Sequence, residues 1–129
     1  IELNELGVFG KNIYANSYPP GAPNECLLVI AGGGGEPSKY LPTREPVIQF
    51  AYRASKFEGY PNAELKIRKI IDLFHGETAQ GKWVPRHNYE VGPYYVMSSR
   101  AVQEPAPIGV DEKERQEVSV NIQFKIKPL

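Results

Sequence analysis

Residues 117–127 read Glu117-Val-Ser-Val-Asn-Ile-Gln-Phe-Lys-Ile-Lys127, and this stretch decides the fold. Val118, Val120, Ile122, Phe124 and Ile126 alternate with Ser119, Asn121, Gln123, Lys125 and Lys127. A period of two puts the apolar set on one face of an extended chain and the polar set on the other, so the pattern specifies a half-buried β-strand and fits no helix. The two lysines on the outer face suit solvent, or an edge guarded against pairing with other chains.

Such a strand needs partners and a cover. Residues 26–31 (CLLVIA) form a short apolar run between Pro23-Asn24 and four glycines, as expected of a central strand buried on both faces. In residues 47–54, Ile48, Phe50 and Tyr52 alternate with Gln49, Ala51 and Arg53. Residues 94–102 (YYVMSSRAV) begin β-prone, and residues 11–15 give a weaker strand ahead of the turn-forming stretch 17–23. The cover is a helix over residues 61–75. Ala63, Ile67, Ile70, Ile71 and Phe74 recur at i, i+4, i+7, i+8 and i+11, while Glu64, Lys66, Arg68, Lys69 and Asp72 take the opposite face. Pro61 suits its first turn and Gly76 its C-cap.

The predicted order is strand, strand, strand, helix, strand, strand. This is an α+β single domain: a mainly antiparallel sheet of about five strands, packed on one face by one principal α-helix. Long loops are expected at residues 32–46, 76–93 and 104–116, and loops above about 12 residues in a compact domain usually serve contacts.

Composition bounds the function. The chain has 129 residues, 41% of them hydrophobic, enough for one core. Its 12 Gly and 12 Pro make it turn-rich without low complexity. No apolar run approaches the roughly 20 residues of a membrane-crossing helix, so no membrane partner is expected. Fifteen basic side chains balance 15 acidic ones with no Lys/Arg block, which argues against gripping nucleic acid through its phosphates. Cys26 is the only cysteine, so no internal disulfide is possible and a reducing compartment is expected. Residues 1–20 lack the pattern of a secretory leader. The first residue is Ile1 and not Met, so an earlier natural start is expected, with Ile1, Leu3 and Leu6 as the tail of a preceding helix.

Catalytic and cofactor motifs are weak throughout. Gly32-Gly33-Gly34-Gly35 follows a strand, but no Gly-Lys-Ser/Thr follows it. The dinucleotide spacing would need Gly where Pro37 or Ser38 stands. A flexible loop is expected there. Cys26, His75 and His87 share no ligand spacing, so no metal and no cofactor are expected. Cys26 reads as a small buried hydrophobe, and His75 as a positive partner for the helix C-terminus. There is no nucleophile elbow, and Ser98-Ser99 sit inside a strand. Tyr89, Tyr94 and Tyr95 read as half-buried strand residues. The charged run 111–117 reads as a solvated loop or a partner contact. No enzyme is expected.

Taken in order, several segments resemble one family, the minor capsid or tail terminator (tail completion) proteins of long-tailed bacteriophages. They are Gly7-Val-Phe-Gly-Lys-Asn-Ile-Tyr14, then Asn24-Glu-Cys-Leu-Leu-Val-Ile30 with its glycines, and Pro46-Val-Ile-Gln-Phe-Ala-Tyr-Arg53. The helix ending Asp72-Leu-Phe-His-Gly76 and the closing strand complete the set. The sequence departs from the family in its long Pro- and His-containing stretch 82–92 and in a leading helix that is absent or truncated. The resemblance implies an α/β subunit of the virion tail or neck, assembled in the host cytoplasm. It would form a ring-shaped homo-oligomer, a hexamer, that caps the tail tube, ends its polymerisation and joins the tail to the head connector. Its partners would be itself, the tail tube protein and the head–tail connector protein, without sequence-specific nucleic-acid binding. Contacts are expected from Glu36, Lys39, Tyr40 and Arg44 in one loop and from Asp111, Glu112, Lys113 and Arg115 in the other, whose mixed signs permit complementary pairing. Another neck component, or a non-viral protein-interaction module, would share these features.

Overall fold

In a computed structural model of the chain, the residues described are 11–34, 41–57, 59–91 and 93–129. They form nine strands and one helix. The order is β1 (Ile13–Ala15), β2 (Cys26–Gly34), β3 (Pro46–Ala54), α1 (Gly59–Phe74), β4 (Gly76–Ala79), β5 (Lys82–Pro85), β6 (His87–Val91), β7 (Tyr94–Ala101), β8 (Ala106–Val110) and β9 (Gln116–Pro128). Seven strands make one sheet in the order β1-β2-β3-β9-β7-β6, with β8 also on β9, and β4-β5 is a separate hairpin. Every pairing is antiparallel except β1 with β2.

The alternating strand is the axis of this sheet. Residues 116–123 pair with β3 on one side. On its other side β9 pairs first with β8, over residues 116–119, and then with β7, over residues 122–128. Val118, Val120, Ile122 and Phe124 are buried, as the period of two requires. Phe50 and Tyr52 of β3 and Leu27 of β2 extend the same face, and Ala63, Ile67, Ile70 and Phe74 of α1 close over it. Phe74 stacks on Phe50 at 5.3 Å and meets the Phe124 ring edge-on at 5.4 Å. Burying side chains of this size contributes roughly 1.5–3 kcal/mol each.

The α+β class, the single helix and all five expected strands are present. The strand count is higher than about five because two of the expected loops are folded. Residues 76–93 contain β4, β5 and β6, and residues 104–116 contain β8. Gly32–Gly34 do not form a loop: they continue β2. A Cβ at Gly32 would stand 2.8 Å from the Val47 carbonyl oxygen, and one at Gly34 would collide with the Glu45 carbonyl, so the glycines serve a close strand approach. β2 is not central either, being second from the edge, and it is buried on both faces only at Cys26, Leu27 and Leu28.

Candidate functional site

Of the residues expected to meet partners, Arg44 lies beside one end of β9, and Asp111, Glu112, Lys113 and Arg115 lie at the other. Arg44 bridges to Ile126, its N–H donating to the Ile126 carbonyl and its carbonyl accepting from the Ile126 N–H, both at 2.8 Å. Its exposed side chain donates to the Thr43 carbonyl, at 3.1 Å. Glu36, Lys39 and Tyr40 lie outside the described residues. Asp111, Glu112, Lys113 and Arg115 form the turn between β8 and β9, beside Gln116. Ten residues of strand separate Gln116 from Ile126, about 33 Å at the usual rise.

The turn is built around one carboxylate. Oδ1 of Asp111 accepts from the Lys113 N–H at 3.0 Å and from the Arg115 N–H at 2.9 Å, and Oδ2 accepts from Arg115 Nε at 2.6 Å. Burial raises the Asp111 pKa, but the Arg115 N–H and guanidinium and the Lys113 N–H outweigh it and hold the carboxyl below its ordinary value. Glu114 takes a left-handed φ of 60°, and its carboxylate pairs with Lys56 at 3.4 Å. Glu112 and Lys113 are left exposed at the tip. Asp111 and Arg115 thus fix the shape of the turn, and Glu112 and Lys113 project from it.

A second set of interactions, not legible in the sequence, anchors the segment before β2. Alternation puts Arg53 on the face of β3 opposite Phe50 and Tyr52, yet it is only 6% exposed. Its guanidinium donates to the carbonyls of Asn24 at 3.2 Å and Pro23 at 2.7 Å and lies 4.3 Å over the Tyr18 ring. Arg115 reaches the side-chain oxygen of Asn24 at 3.3 Å. The sheet face opposite α1 is thereby covered at Cys26, Arg53 and Glu117, which stand in one transverse row. Burial pushes the Cys26 thiol, the Glu117 carboxyl and the Tyr18 hydroxyl above their ordinary pKa values, with Arg53 opposing each. Cys26 is a buried apolar-type residue, as its sequence context predicts.

The C-terminus of α1 is fixed to β7. The Tyr89 hydroxyl donates to Ser99 Oγ, and the Ser99 hydroxyl donates to the Phe74 carbonyl, both at 2.6 Å. His75 turns its Nδ1 to β7, where it accepts from the Ala101 N–H at 2.9 Å. Beside it, Arg68, Ile71, Val102 and Glu104 border an open groove of about 380 Å³. The Arg68–Glu104 ion pair spans it at 3.4 Å. His87 is exposed on β6, and among the described residues no three His, Cys, Asp or Glu side chains converge.

A search among curated proteins finds no match to the chain. A family model described as "Bacteriophage tail terminator protein" matches residues 1–128.

Proposed function

Because the chain belongs to the bacteriophage tail terminator family, we propose that it caps the tail tube as a ring of six copies, ends tube polymerisation and joins the tail to the head connector. Membership makes it a structural component of the virion tail with a role in tail completion. In this reading the subunits assemble in the host cytoplasm and act by contact, without a catalytic centre, cofactor or metal.

The family match over nearly the whole chain carries the reading, and the placement of Arg44 and of the charged turn 111–115 supports it. A cap between a tube and a connector needs two separate docking faces. The Arg44 segment and the 112–113 tip stand about 33 Å apart along β9, far enough to belong to different faces. Their mixed charges favour selective contacts with complementary surfaces over tight non-specific ones. The tube protein and the connector protein are the proposed partners at the two ends.

The test is disruption of the gene in its phage. Tails of uncontrolled length, unattached to heads, are expected in electron micrographs of the lysate. Normal virions would overturn the tube-capping reading.

A further inference from the structure

Residues 17–25 cross the sheet face opposite α1, and side chains hold them there. On either side of the segment the backbone is tied to its neighbours. The Asn16 N–H donates to the Val29 carbonyl and the Leu27 N–H to the Asn12 carbonyl, both at 2.8 Å. Between these points the backbone bond formed within residues 18–25 is internal, from the Ala22 N–H to the Pro19 carbonyl at 3.1 Å. Pro19, Pro20 and Pro23 have no N–H to offer the sheet. The ties to the sheet come instead from two arginines. Arg53 of β3 reaches the Pro23 and Asn24 carbonyls and covers the Tyr18 ring, and Arg115, just before β9, reaches the Asn24 side chain.

Closure on these ties has a built-in cost. The Tyr18 hydroxyl is buried and has no hydrogen-bond partner among the described residues, a penalty that exposure to water removes. The apolar core lies on the other face, between the sheet and α1, so the segment can lift without disturbing it.

We propose that residues 17–25 are a latch, which swings off the sheet as a unit while the core stays folded, and that the 111–115 turn sets how firmly it is shut. Arg115 is the shared part. Asp111 holds its Nε at 2.6 Å, and the same guanidinium reaches Asn24 Oδ1 through Nη1 at 3.3 Å, so the shape of the turn decides where the second pin of the latch stands. Opening frees the Arg53 guanidinium and bares the Cys26 thiol, its cross-strand neighbour. The linkage is reciprocal: a partner that reshapes the turn at Glu112 and Lys113 changes the latch equilibrium, and the latch changes affinity for that partner by the same factor. The partner's part in this rests on the docking reading of the turn, whereas the latch and its coupling to Arg115 do not.

Reaction of Cys26 with Ellman's reagent in the native protein tests the latch, because the thiol is 1% exposed when the latch is shut. Labelling is expected to run about a hundredfold or more faster than global unfolding in urea allows, and to respond only weakly to low urea. Arg53→Met should speed it by about thirtyfold or more, and Asn24→Ala and Asp111→Asn by about threefold each. N24A and D111N together should be no faster than either alone, since both act through Arg115. Tyr18→Phe should slow labelling. Ser99→Ala, which weakens the opposite face of the sheet, should leave the rate within about twofold of the parent. Labelling that follows the full urea dependence of unfolding, or that rises with S99A in step with lost global stability, would overturn the latch. Independent effects of N24A and D111N, or none from D111N, would overturn its coupling to the turn. Normal virions after gene disruption would overturn tube capping and leave both standing.

Discussion

Replacing Ser99 with alanine removes one hydroxyl from the junction of α1 and β7. Ser99 is 3% exposed, and its Oγ both donates to the Phe74 carbonyl and accepts from the Tyr89 hydroxyl. The Phe74 carbonyl is one of the helix-terminal acceptors that has no partner within its helix. Alanine leaves almost no cavity, so the cost lies in hydrogen bonding. A buried acceptor left unpaired costs about 1–3 kcal/mol, and half-buried Tyr89 recovers part of its loss from water, so a total of about 2–3 kcal/mol is expected. At roughly 2.1 cal/mol/K per residue, unfolding of a chain this long has an entropy near 0.27 kcal/mol/K, which lowers the melting temperature by roughly 7–11 °C. Thermal and urea unfolding followed by circular dichroism would measure it, with Tyr89→Phe completing a double-mutant cycle. Y89F should cost about 0.5–1.5 kcal/mol in the parent and nearly nothing beside S99A. A loss under about 0.5 kcal/mol for S99A, or an equal Y89F cost in both backgrounds, would refute the reasoning.

Other expectations concern the anchors and the glycines. Arg53→Met keeps the aliphatic packing but strands the Pro23 and Asn24 carbonyls, so a loss of about 2–3 kcal/mol is expected in urea unfolding, with faster proteolysis within residues 17–25. The folded-state pKa of Asp111 is depressed, so its stabilising contribution is complete above the unfolded carboxylate value and disappears as pH falls through the lower folded value. Asp111→Asn should therefore lower the urea midpoint at pH 7, and the difference from the parent should close as pH falls through the depressed carboxyl value. Gly33→Ala meets open space and should leave stability unchanged or raise it by up to about 1 kcal/mol. Gly34→Ala drives a Cβ into the Glu45 carbonyl and Pro46 and should destabilise by several times as much, which paired melting curves would resolve.

What the sequence disclosed followed how locally each element is determined. β9 and α1 carry their own periodicity, so the positions of Val118 to Phe124 and of Ala63 to Phe74 were legible without a partner in view. β8 has none. Its Ala-Pro-Ile-Gly-Val is mostly exposed, includes Pro107 and a glycine at positive φ, and is extended because β9 pairs with it. The β4–β5 turn places Gln80 and Gly81 both at positive φ, and Gln is not a residue that signals such a turn. In β6, Asn88 at φ 54° interrupts any alternation. The role of Arg53 was hidden for a similar reason: alternation assigned it to the outer face, and only the fold brings Tyr18, Pro23 and Asn24 over that face. Of the expected contact residues, Asp111 and Arg115 had an internal role that no charge pattern discloses, since it depends on the left-handed Glu114 between them.

The position of β9 along the chain also governs when the protein can fold. It follows β3, β7 and β8 in the chain and pairs with all three, so on the ribosome those strands are made before their common partner. Until it emerges, the apolar residues Phe50 and Tyr52 have no finished floor on which α1 can settle, and most of the sheet's pairings across β9 span large sequence separations. Such a topology has high contact order and folds late and as a whole, not from the N-terminus forward. The helix, β3 and β7 therefore stay without their shared floor until translation reaches β9, and the core closes only when that strand is available.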